Sequence, residues 1–311
     1  MIVREGFSVP EPRRRAWVTI GFFDGVHRGH QAIMRHISLA ARQNGGTSCV
    51  VTFNRHPVEL LTGKPMRLLT SWEEKARALQ GLGIDMVRIL SFDRDLASLP
   101  ASEFLGQLCT VLRVEEIAVG SDFVFGADRQ GDIKFLENRS ALFGYQLAVV
   151  PRVLHGTEKV SSSQIRNWLG AGRIHDVTRG LGRYPTVAGV VIKGRGVGQS
   201  LGYPTVNLAP SRVKMLPGAG VYAGFVLIRG TRYGVMVNVG SRPTFCDSTN
   251  GVEAHILGFE GNLYDRFLTL HLVERLRDVK KFGSAEELSC QLRLDSQQIV
   301  WVLGNKVDME S

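Results

Sequence analysis

Residues 19–30 read Thr-Ile-Gly-Phe-Phe-Asp-Gly-Val-His-Arg-Gly-His, and this stretch predicts the fold of the first half of the chain. The stretch begins at the end of an apolar run, residues 16–20, that is typical of a buried strand. It leads into a segment whose apolar residues recur at helical spacing. A glycine-containing turn between a buried strand and a helix is where parallel α/β sheets bind phosphate, because the helix N-terminus offers unpaired N–H groups. Gly25 and Gly29 allow the backbone to approach a ligand closely.

Two histidines of this stretch add chemistry to the turn. His27 and His30 lie three residues apart, so at the start of a helix they share a face and can point at one phosphate. Imidazole titrates near neutrality and donates hydrogen bonds in either protonation state. A pair of surface histidines and half of a zinc site are the alternatives, although zinc would need further ligands at matching spacing, and none stands nearby in the sequence.

The longer string Gly-x-Phe-Asp-Gly-Val-His-x-Gly-His over 21–30 resembles the HxGH signature of nucleotidylyltransferases. Its form is similar to that of the adenylyltransferase half of prokaryotic bifunctional riboflavin kinase/FAD synthetases. The resemblance implies that His27 and His30 stabilise transition-state charge. It also implies a nucleotide-binding loop that includes Gly21, Phe23, Asp24, Gly25 and Gly29. Phe22 departs from the family, which commonly has a smaller or polar residue such as Asn there.

Two further segments of the first half resemble the same family. After a predicted strand at 47–53, His-Pro matches the end of a Phe-x-Pro-His-Pro element in which Arg55 replaces a proline. Residues 120–126 match a Gly-x-Asn/Asp-Phe-x-Phe-Gly loop. The resemblance implies that flavin and nucleotide are bound or oriented by His56, Pro57, Asp122, Phe123 and Phe125. From the residues alone, a turn histidine and two core phenylalanines are the alternatives.

A serine-rich helix start resembles the Ser-Ser/Thr-x-x-Arg element of the superfamily. Hydroxyls of Ser162 and Ser163 can cap the helix or, with its free N–H groups, grip a polyphosphate. Arg166 lies one turn along and could neutralise the β- and γ-phosphates. Simple capping with a solvent arginine is the alternative. The implied reaction is attack of the FMN phosphate on the α-phosphorus of ATP, with release of pyrophosphate.

The periodicity of the chain changes near a breaker cluster at 180–185. Before it, strands alternate with helices and predict a parallel Rossmann-like sheet, the adenylyltransferase domain of residues 1–183. After it, short strands with Gly and Pro turns predict a small six-stranded antiparallel β-barrel, the kinase domain of residues 184–311. An amphipathic C-terminal helix is predicted over 285–303.

The second half carries the riboflavin kinase resemblance. Gly194, Gly196 and Gly198 fit a loop laid over phosphates without a helix behind it, because Pro204 prevents a helix interior. Thr205 and Asn207 lie on one face of an extended segment, and their oxygens suit a hard cation. The string Gly-Tyr-Pro-Thr-x-Asn resembles the riboflavin kinase signature, in which the Thr and Asn serve the magnesium bound to ATP.

The alternating segment Val252–Leu257 predicts a strand, and its Glu253 matches the catalytic glutamate of the kinase family. The resemblance implies that this carboxylate accepts the proton of the ribityl 5′-hydroxyl as that oxygen attacks the γ-phosphate. The match loosens afterwards, because Gly258 stands where the family has an acidic residue. Asp265 likewise stands where the family has a turn glycine.

Composition places limits on the function. The 311 residues suffice for two domains, no apolar run reaches the roughly 20 residues of a membrane span, and four scattered cysteines predict a reducing, cytoplasmic setting. The net charge of +9 allows nucleic acid, but its basic residues are dispersed and suit nucleotide substrates equally.

We therefore expect a transferase that phosphorylates riboflavin to FMN and adenylylates FMN to FAD, using ATP and Mg²⁺. FMN and FAD are then substrate and product, not prosthetic groups, and no nucleic acid or membrane partner is expected. The alternative is that one half, more readily the kinase half, is a flavin-binding or regulatory module.

Overall fold

The computed structural model describes residues 1–7, 15–156, 158–193, 202–241 and 250–306. The chain divides into two compact units, Met1–Ser161 and Ser162–Ser311. Within the described ranges, no helix has both the length and the apolar character that crossing a bilayer requires.

The first unit is built on a six-stranded parallel sheet in the order β1-β4-β3-β2-β5-β6. Its strands are β1 Ile2–Glu5, β2 Ala16–Ile20, β3 Thr47–Phe53, β4 Met86–Leu90, β5 Val114–Gly120 and β6 Gln146–Val150. Its helices are α1 Arg28–Gln43, α2 Pro57–Thr62, α3 Trp72–Gly81, α4 Arg94–Ser98, α5 Ala101–Val111 and α6 Ile133–Phe143. A short hairpin follows, with β7 Leu154–His155 and β8 Glu158–Lys159.

Side chains alternate along the central strands and fill a core on each face of this sheet. In β2, Val18 belongs to the cluster that packs on Leu105 of α5, whereas Trp17 belongs to the cluster that packs on Ile37 of α1. Burial on both faces explains why β2 is a nearly continuous apolar run in the sequence.

The strand order has a switch point between β2 and β5. From β2 the chain moves outward through β3 and β4, and it then returns to place β5 and β6 on the other side. Open α/β sheets bind ligands outside the carboxyl ends of their strands at such a point. The two predicted motif loops, at 21–30 and 120–126, follow β2 and β5, so the topology places both at this position.

The second unit is a closed antiparallel barrel with helices. Its six strands are in the order β10-β13-β12-β11-β14-β9. They span β9 Thr186–Ile192, β10 Thr205–Pro210, β11 Gly220–Ile228, β12 Thr231–Ser241, β13 Asn250–Ile256 and β14 Phe267–Arg277. The helices of this unit are α7 Ser162–Gly170, α8 Ile174–Leu181 and α9 Ala285–Lys306. One face of β11 packs through Val221, Ala223 and Phe225 on Ile299 and Val302 of α9.

The predicted fold class is confirmed in both halves, as a parallel sheet with helices and a six-stranded antiparallel barrel with a C-terminal helix. No sequence signal marked β1, α2, α4 or α8, which are short or lie at the edge of the sheet. The domain boundary at 183 stays a prediction. In the structure α7 and α8 group with the barrel, because α8 packs against β14.

Candidate active sites

The first candidate site is the turn between β2 and α1. Residues Asp24–Val26 form a single 3-10 turn, and three residues of the segment have left-handed backbone, Phe23 (φ 55°), Gly25 (φ 81°) and Val26 (φ 42°). A β-branched residue in this region is strained, and such strain clusters at functional sites. A Cβ atom at Gly29 would lie 3.1 Å from Cε1 of His27, so this glycine leaves room for the imidazole.

The two histidines of the turn are brought together. The rings of His27 and His30 are stacked with centroids 3.6 Å apart, and the edge of one meets Phe23, whose ring centroid is 5.1 Å from that of His30. His27 caps α1, because its Nδ1 accepts a hydrogen bond from the His30 backbone N–H at 3.3 Å. A neutral His27 ring must then carry its proton on Nε2, where it can be donated to a phosphate oxygen.

Burial affects both rings and lowers the pKa of His30. His27 is only 6% exposed, so the alternative of two surface histidines is wrong for that ring. Burial lowers the pKa of His30 well below its usual value, and the neighbouring His27, Lys75 and Lys159 lower that pKa further. The Nδ1 atom of His30 is buried without a hydrogen-bond partner among the residues that the structure describes. It is therefore a polar atom available to a ligand.

A clamp from the segment before α3 holds the turn. The carboxylate of Asp24, itself 2% exposed, accepts hydrogen bonds from the backbone N–H groups of Leu69 (3.1 Å) and Thr70 (3.3 Å). The Thr70 hydroxyl in turn accepts one from the Gly25 N–H at 3.1 Å. Asp24 thus shapes the loop. Its part in binding or orienting the nucleotide stays a prediction.

Phe22, the departure from the family, is enclosed by three side chains. Its carbonyl oxygen accepts hydrogen bonds from Lys75 Nζ at 2.6 Å and from Thr52 Oγ1 at 3.2 Å. Its ring lies 4.1 Å below the Lys75 ammonium and meets His56 edge to face at 4.6 Å. His56 also caps α2 through its Nδ1, which accepts from Val58 N–H at 3.1 Å.

An aromatic cavity of about 360 Å³ opens beside this turn. Phe123 and Phe125 stack at 5.4 Å, pack on the core cluster under α5, and also line the cavity. Both side chains therefore pack on the core, and their role as a platform for a planar ring stays a prediction. The further lining residues include Ile20, Phe53, Pro57, Leu61, Phe92, Phe104 and Arg129.

Asp122 lies outside that cavity lining and has a charged partner. Its carboxylate is paired with the Lys159 ammonium from β8, and this hydrogen bond is the main cause that lowers the Asp122 pKa below its usual value. Arg152, whose Nε donates to Ser121 Oγ at 3.0 Å, lowers that pKa further. The Gly120–Asp122 loop is therefore bordered by two cations, which suits an anionic ligand.

The serine-rich element forms the start of α7, as predicted. The helix begins at Ser162, and Arg166 lies one turn along in a partly exposed position. These residues belong to the second compact unit and the histidines to the first. Their shared role at one polyphosphate stays a prediction.

The second candidate site is on the barrel, where β10 and β13 pair. The register places Asn207 opposite Glu253, and Thr205 opposite His255. These side chains share a face because they are paired or two residues apart. The Thr205 hydroxyl donates a hydrogen bond of 2.6 Å to Glu253 Oε1. His255 donates from Nδ1 to the Pro204 carbonyl at 2.8 Å, which gives it a structural contact beside the site.

Two cavities meet at Thr205. The first, about 290 Å³, contains Glu253 and Asn238 together with apolar residues of β11, β12 and α9, among them Val221, Met236 and Leu288. The second, about 470 Å³, is bordered by the segment after β13, including Phe259, Asn262 and Tyr264. Because Thr205 lines both, a group bound in one cavity can meet a group bound in the other beside Glu253.

Two polar residues of this site were not among the predicted site residues. Asn238 faces Glu253 across the β12–β13 register, and its Oδ1 is buried without a partner among the described residues. Arg277 lines the smaller cavity, and Asp295 of α9 holds its guanidinium through bonds of 2.7 and 3.1 Å. The available signal for Asn238 was a polar residue between the apolar residues Val237 and Val239, whereas Arg277 had no such signal.

The remaining predicted residues differ in what the structure says of them. Gly194, Gly196 and Gly198 lie outside the described residues. Asp265 has φ 62°, so the residue that replaces the family glycine keeps the glycine-like backbone, and Gly258 has φ 66°. No group of three or more His, Cys, Asp or Glu side chains in the described ranges could hold a metal ion.

Comparison with known proteins finds a family model for each half of the chain. A family model described as FAD synthetase matches residues 9–164, and one described as riboflavin kinase matches residues 181–303. A solved structure described as a macrolide-efflux protein from Streptococcus pneumoniae has a TM-score of 0.88 and 30% sequence identity. That likeness covers 96% of this chain and 98% of the other.

Curated relatives carry both domains in one chain. The bifunctional riboflavin kinase/FMN adenylyltransferase of Pseudomonas fluorescens is 38% identical over 296 residues, which cover 94% of this chain and 95% of the relative. The protein of the same description from Escherichia coli K12 is 34% identical and covers 91% of each chain. With both family models matched in order and relatives aligned over nearly the full length, this chain belongs to the bifunctional riboflavin kinase/FMN adenylyltransferase family.

Proposed function

We propose that the barrel unit phosphorylates riboflavin to FMN and that the sheet unit adenylates FMN to FAD, with ATP as the donor in both reactions. The observation that carries the first reaction is the Thr205–Glu253 hydrogen bond on the wall shared by two cavities. The observation that carries the second is the stacked His27–His30 pair at the switch point of the sheet.

In the kinase reaction Glu253 acts as the base. The flavin ring occupies the smaller cavity against Val221 and Met236, and ATP occupies the larger one, so the ribityl 5′-hydroxyl and the γ-phosphate meet at Thr205. The 5′-oxygen attacks the γ-phosphorus while its proton passes to the Glu253 carboxylate, and the bond from γ-phosphorus to the ADP oxygen breaks.

Magnesium fits the oxygen donors at this site. Thr205 and Asn207 present a hydroxyl and an amide oxygen on one face of β10, and the Oδ1 of Asn238, which has no partner among the described residues, lies on β12 beyond the intervening β13. Neutral oxygens of this kind suit an ion that arrives with ATP and keeps its phosphate and water ligands. Thr205 and Asn207 would hold the ion, which supplies positive charge for the transferring phosphoryl group.

In the adenylyltransferase reaction no side chain forms a covalent bond to substrate. The flavin ring of FMN stacks in the aromatic cavity with Phe123 and Phe125, and Pro57 borders the same space. The FMN phosphate attacks the α-phosphorus of ATP, and the bond to the β-phosphate oxygen breaks to release pyrophosphate. His27 donates from Nε2 and the N-terminus of α1 adds its N–H groups, so both stabilise the phosphoryl oxygens. Ser162, Ser163 and Arg166 bind the leaving pyrophosphate.

A flavin-binding module without kinase activity is the alternative for the barrel. The retained Thr205–Glu253 pair and the two named activities of the relatives support an active kinase. Riboflavin, FMN and ATP are then the small-molecule partners. The expectations of a cytoplasmic location and of no nucleic acid partner rest on composition and stay predictions.

Two reciprocal variants test this function in the full chain. Purified protein with riboflavin, ATP and magnesium should form FMN first and FAD afterwards in a chromatographic time course. Glu253→Gln should slow FMN formation by roughly 10²- to 10⁴-fold, as expected for loss of a general base, and leave FAD formation from added FMN unchanged. His30→Asn should slow FAD formation from added FMN and leave FMN formation unchanged. If Glu253→Gln retains full kinase activity, the assignment of the base is wrong.

A further inference from the structure

Lys75 is a buried cation that neither proposed reaction uses. It lies on α3 and is 4% exposed, although a lysine is almost never buried without a partner. Its Nζ donates to the Phe22 carbonyl at 2.6 Å and sits 4.1 Å from the centre of the Phe22 ring. Both contacts go to the same residue, which begins the nucleotide-binding turn.

Phe22 connects this ammonium to the rest of the site. On one side its ring meets His56, the predicted flavin-orienting residue, at 4.6 Å. On the other, the chain passes directly into Phe23 and the left-handed backbone of the 3-10 turn, and the Phe23 ring packs on His30. A strained backbone persists only where its surroundings hold it, and Lys75 provides a hydrogen bond and a cation–π contact at the first residue of the turn.

We propose that Lys75 is a positioning residue for adenylyl transfer, because its ammonium group fixes the carbonyl and ring of Phe22 and with them the turn that carries His27 and His30. This inference rests on the proposed adenylyltransferase activity. Lys75 has no assigned contact with substrate. It acts through Phe22, and a neutral amine would keep the hydrogen bond only weakly and lose the cation–π contact.

Burial and the charges that face Lys75 determine the pH range in which its ammonium group is protonated. Burial lowers the pKa of Lys75 to about 8, and the Asp24 carboxylate in the turn partly opposes that shift. His30, on α1, is the other titratable group that interacts with it, and Lys75 helps keep that imidazole unprotonated. On α3 itself, Glu73 and Glu74 are hydrogen-bonded to Ser71. The positioning contact is therefore complete near pH 7 and is lost as pH rises through about 8.

The test is the pH profile of kcat/KM for ATP in FAD formation by the full chain, because this quantity reports groups of the free enzyme. The wild-type value should fall above pH about 8. Lys75→Met should lower kcat by roughly 10- to 100-fold, as expected when the turn with His27 and His30 is displaced. Its pH profile should lack the alkaline limb, which is the fall of kcat/KM above pH about 8. Lys75→Arg should recover most of the rate and move the limb to higher pH. Lys134→Met, which removes an exposed lysine of α6 in the same unit, is the matched control.

Two further readouts separate positioning from a general loss of structure. FMN formation by the barrel unit should be unchanged in every variant, and hydrogen exchange of peptides from β2 and β3 should match wild type if the sheet unit is folded. The pKa of His30, followed by proton NMR, should rise in Lys75→Met and stay low in Lys75→Arg. A limb that persists in Lys75→Met, or a rate within twofold of wild type, overturns the proposal. Wild-type protein that forms FMN but no FAD at any pH overturns the adenylyltransferase function instead.

Discussion

Asp295→Asn should loosen α9 from the barrel. Asp295 is 2% exposed and accepts four hydrogen bonds, three from Arg277 at 2.7 to 3.1 Å and one from Gln291 at 2.8 Å. Asparagine keeps one oxygen, but it places an NH₂ group against the guanidinium and leaves the Arg277 charge uncompensated. Removing one partner of a buried ion pair costs about 3–5 kcal/mol. We take about 3 kcal/mol for asparagine, because part of the hydrogen bonding survives.

The assay is urea unfolding, monitored by hydrogen exchange of peptides from β11 and β14. These peptides report the unfolding of the barrel without that of the sheet unit. With an m value of about 2 kcal/mol/M, a loss of about 3 kcal/mol lowers the midpoint by roughly 1.5 M. Asp278→Asn is the matched control, because its carboxylate is 81% exposed and bonds Arg275 at the surface. That change should cost less than about 1 kcal/mol.

A double variant identifies the cause. Arg277→Met with Asp295→Leu removes both charges and should recover most of the stability, because well-packed apolar residues often replace a buried pair at no cost. If the free energy of unfolding of Asp295→Asn is within about 1 kcal/mol of that of Asp278→Asn, the buried pair does not hold α9 and the reasoning is refuted. Because Arg277 lines the cavity with Glu253, the KM for riboflavin should rise in Asp295→Asn.

Two smaller effects should be measurable. Asp265→Gly should raise stability by up to about 1 kcal/mol in thermal unfolding, since φ is 62° there, and should retain kinase activity; a loss of stability would mean that the Asp265 side chain is needed. Lys159→Met should raise the pKa of Asp122, seen by NMR. A lowered pKa gives stability above the usual Asp pKa that is lost on acidification. This variant should therefore cost less than about 1 kcal/mol at pH 7 and nothing at an acidic pH below the lowered Asp122 pKa. Equal losses of stability at neutral and acidic pH would show that the ion pair between Lys159 and Asp122 is not their cause.

The architecture was predictable because its signals are local. Buried strands such as β2 are short apolar runs, and the capping box at Ser71 marks the start of α3 directly. The order of motifs along the chain also predicted both sites. The Thr205–Glu253 contact follows once β10 and β13 pair, but that pairing register is a property of the closed barrel and not of either strand.

The partners of the nucleotide-binding turn could not be predicted, because they come from distant segments. Leu69, Thr70 and Lys75 reach Asp24, Gly25 and Phe22 only after α3 has docked on the turn. A lysine on an amphipathic helix is typical of the solvent side, and nothing in its neighbours marks Lys75 as buried. The role of Asp24 at the nucleotide stays a prediction, and the bonds from the Leu69 and Thr70 backbone to its carboxylate could not be foreseen from the sequence.

Two of the four departures from the family pattern, Asp265 and Phe22, therefore have different consequences. Asp265 keeps the backbone conformation of the glycine that it replaces, so its effect is confined to local strain in a surface turn. Phe22 has built contacts that asparagine could not make, since its ring is placed between the Lys75 ammonium and the His56 imidazole. An asparagine at 22 would keep the carbonyl that accepts from Lys75 but remove the ring. Of these two departures, Phe22 is thus the one whose side chain takes part in the contacts around its candidate site.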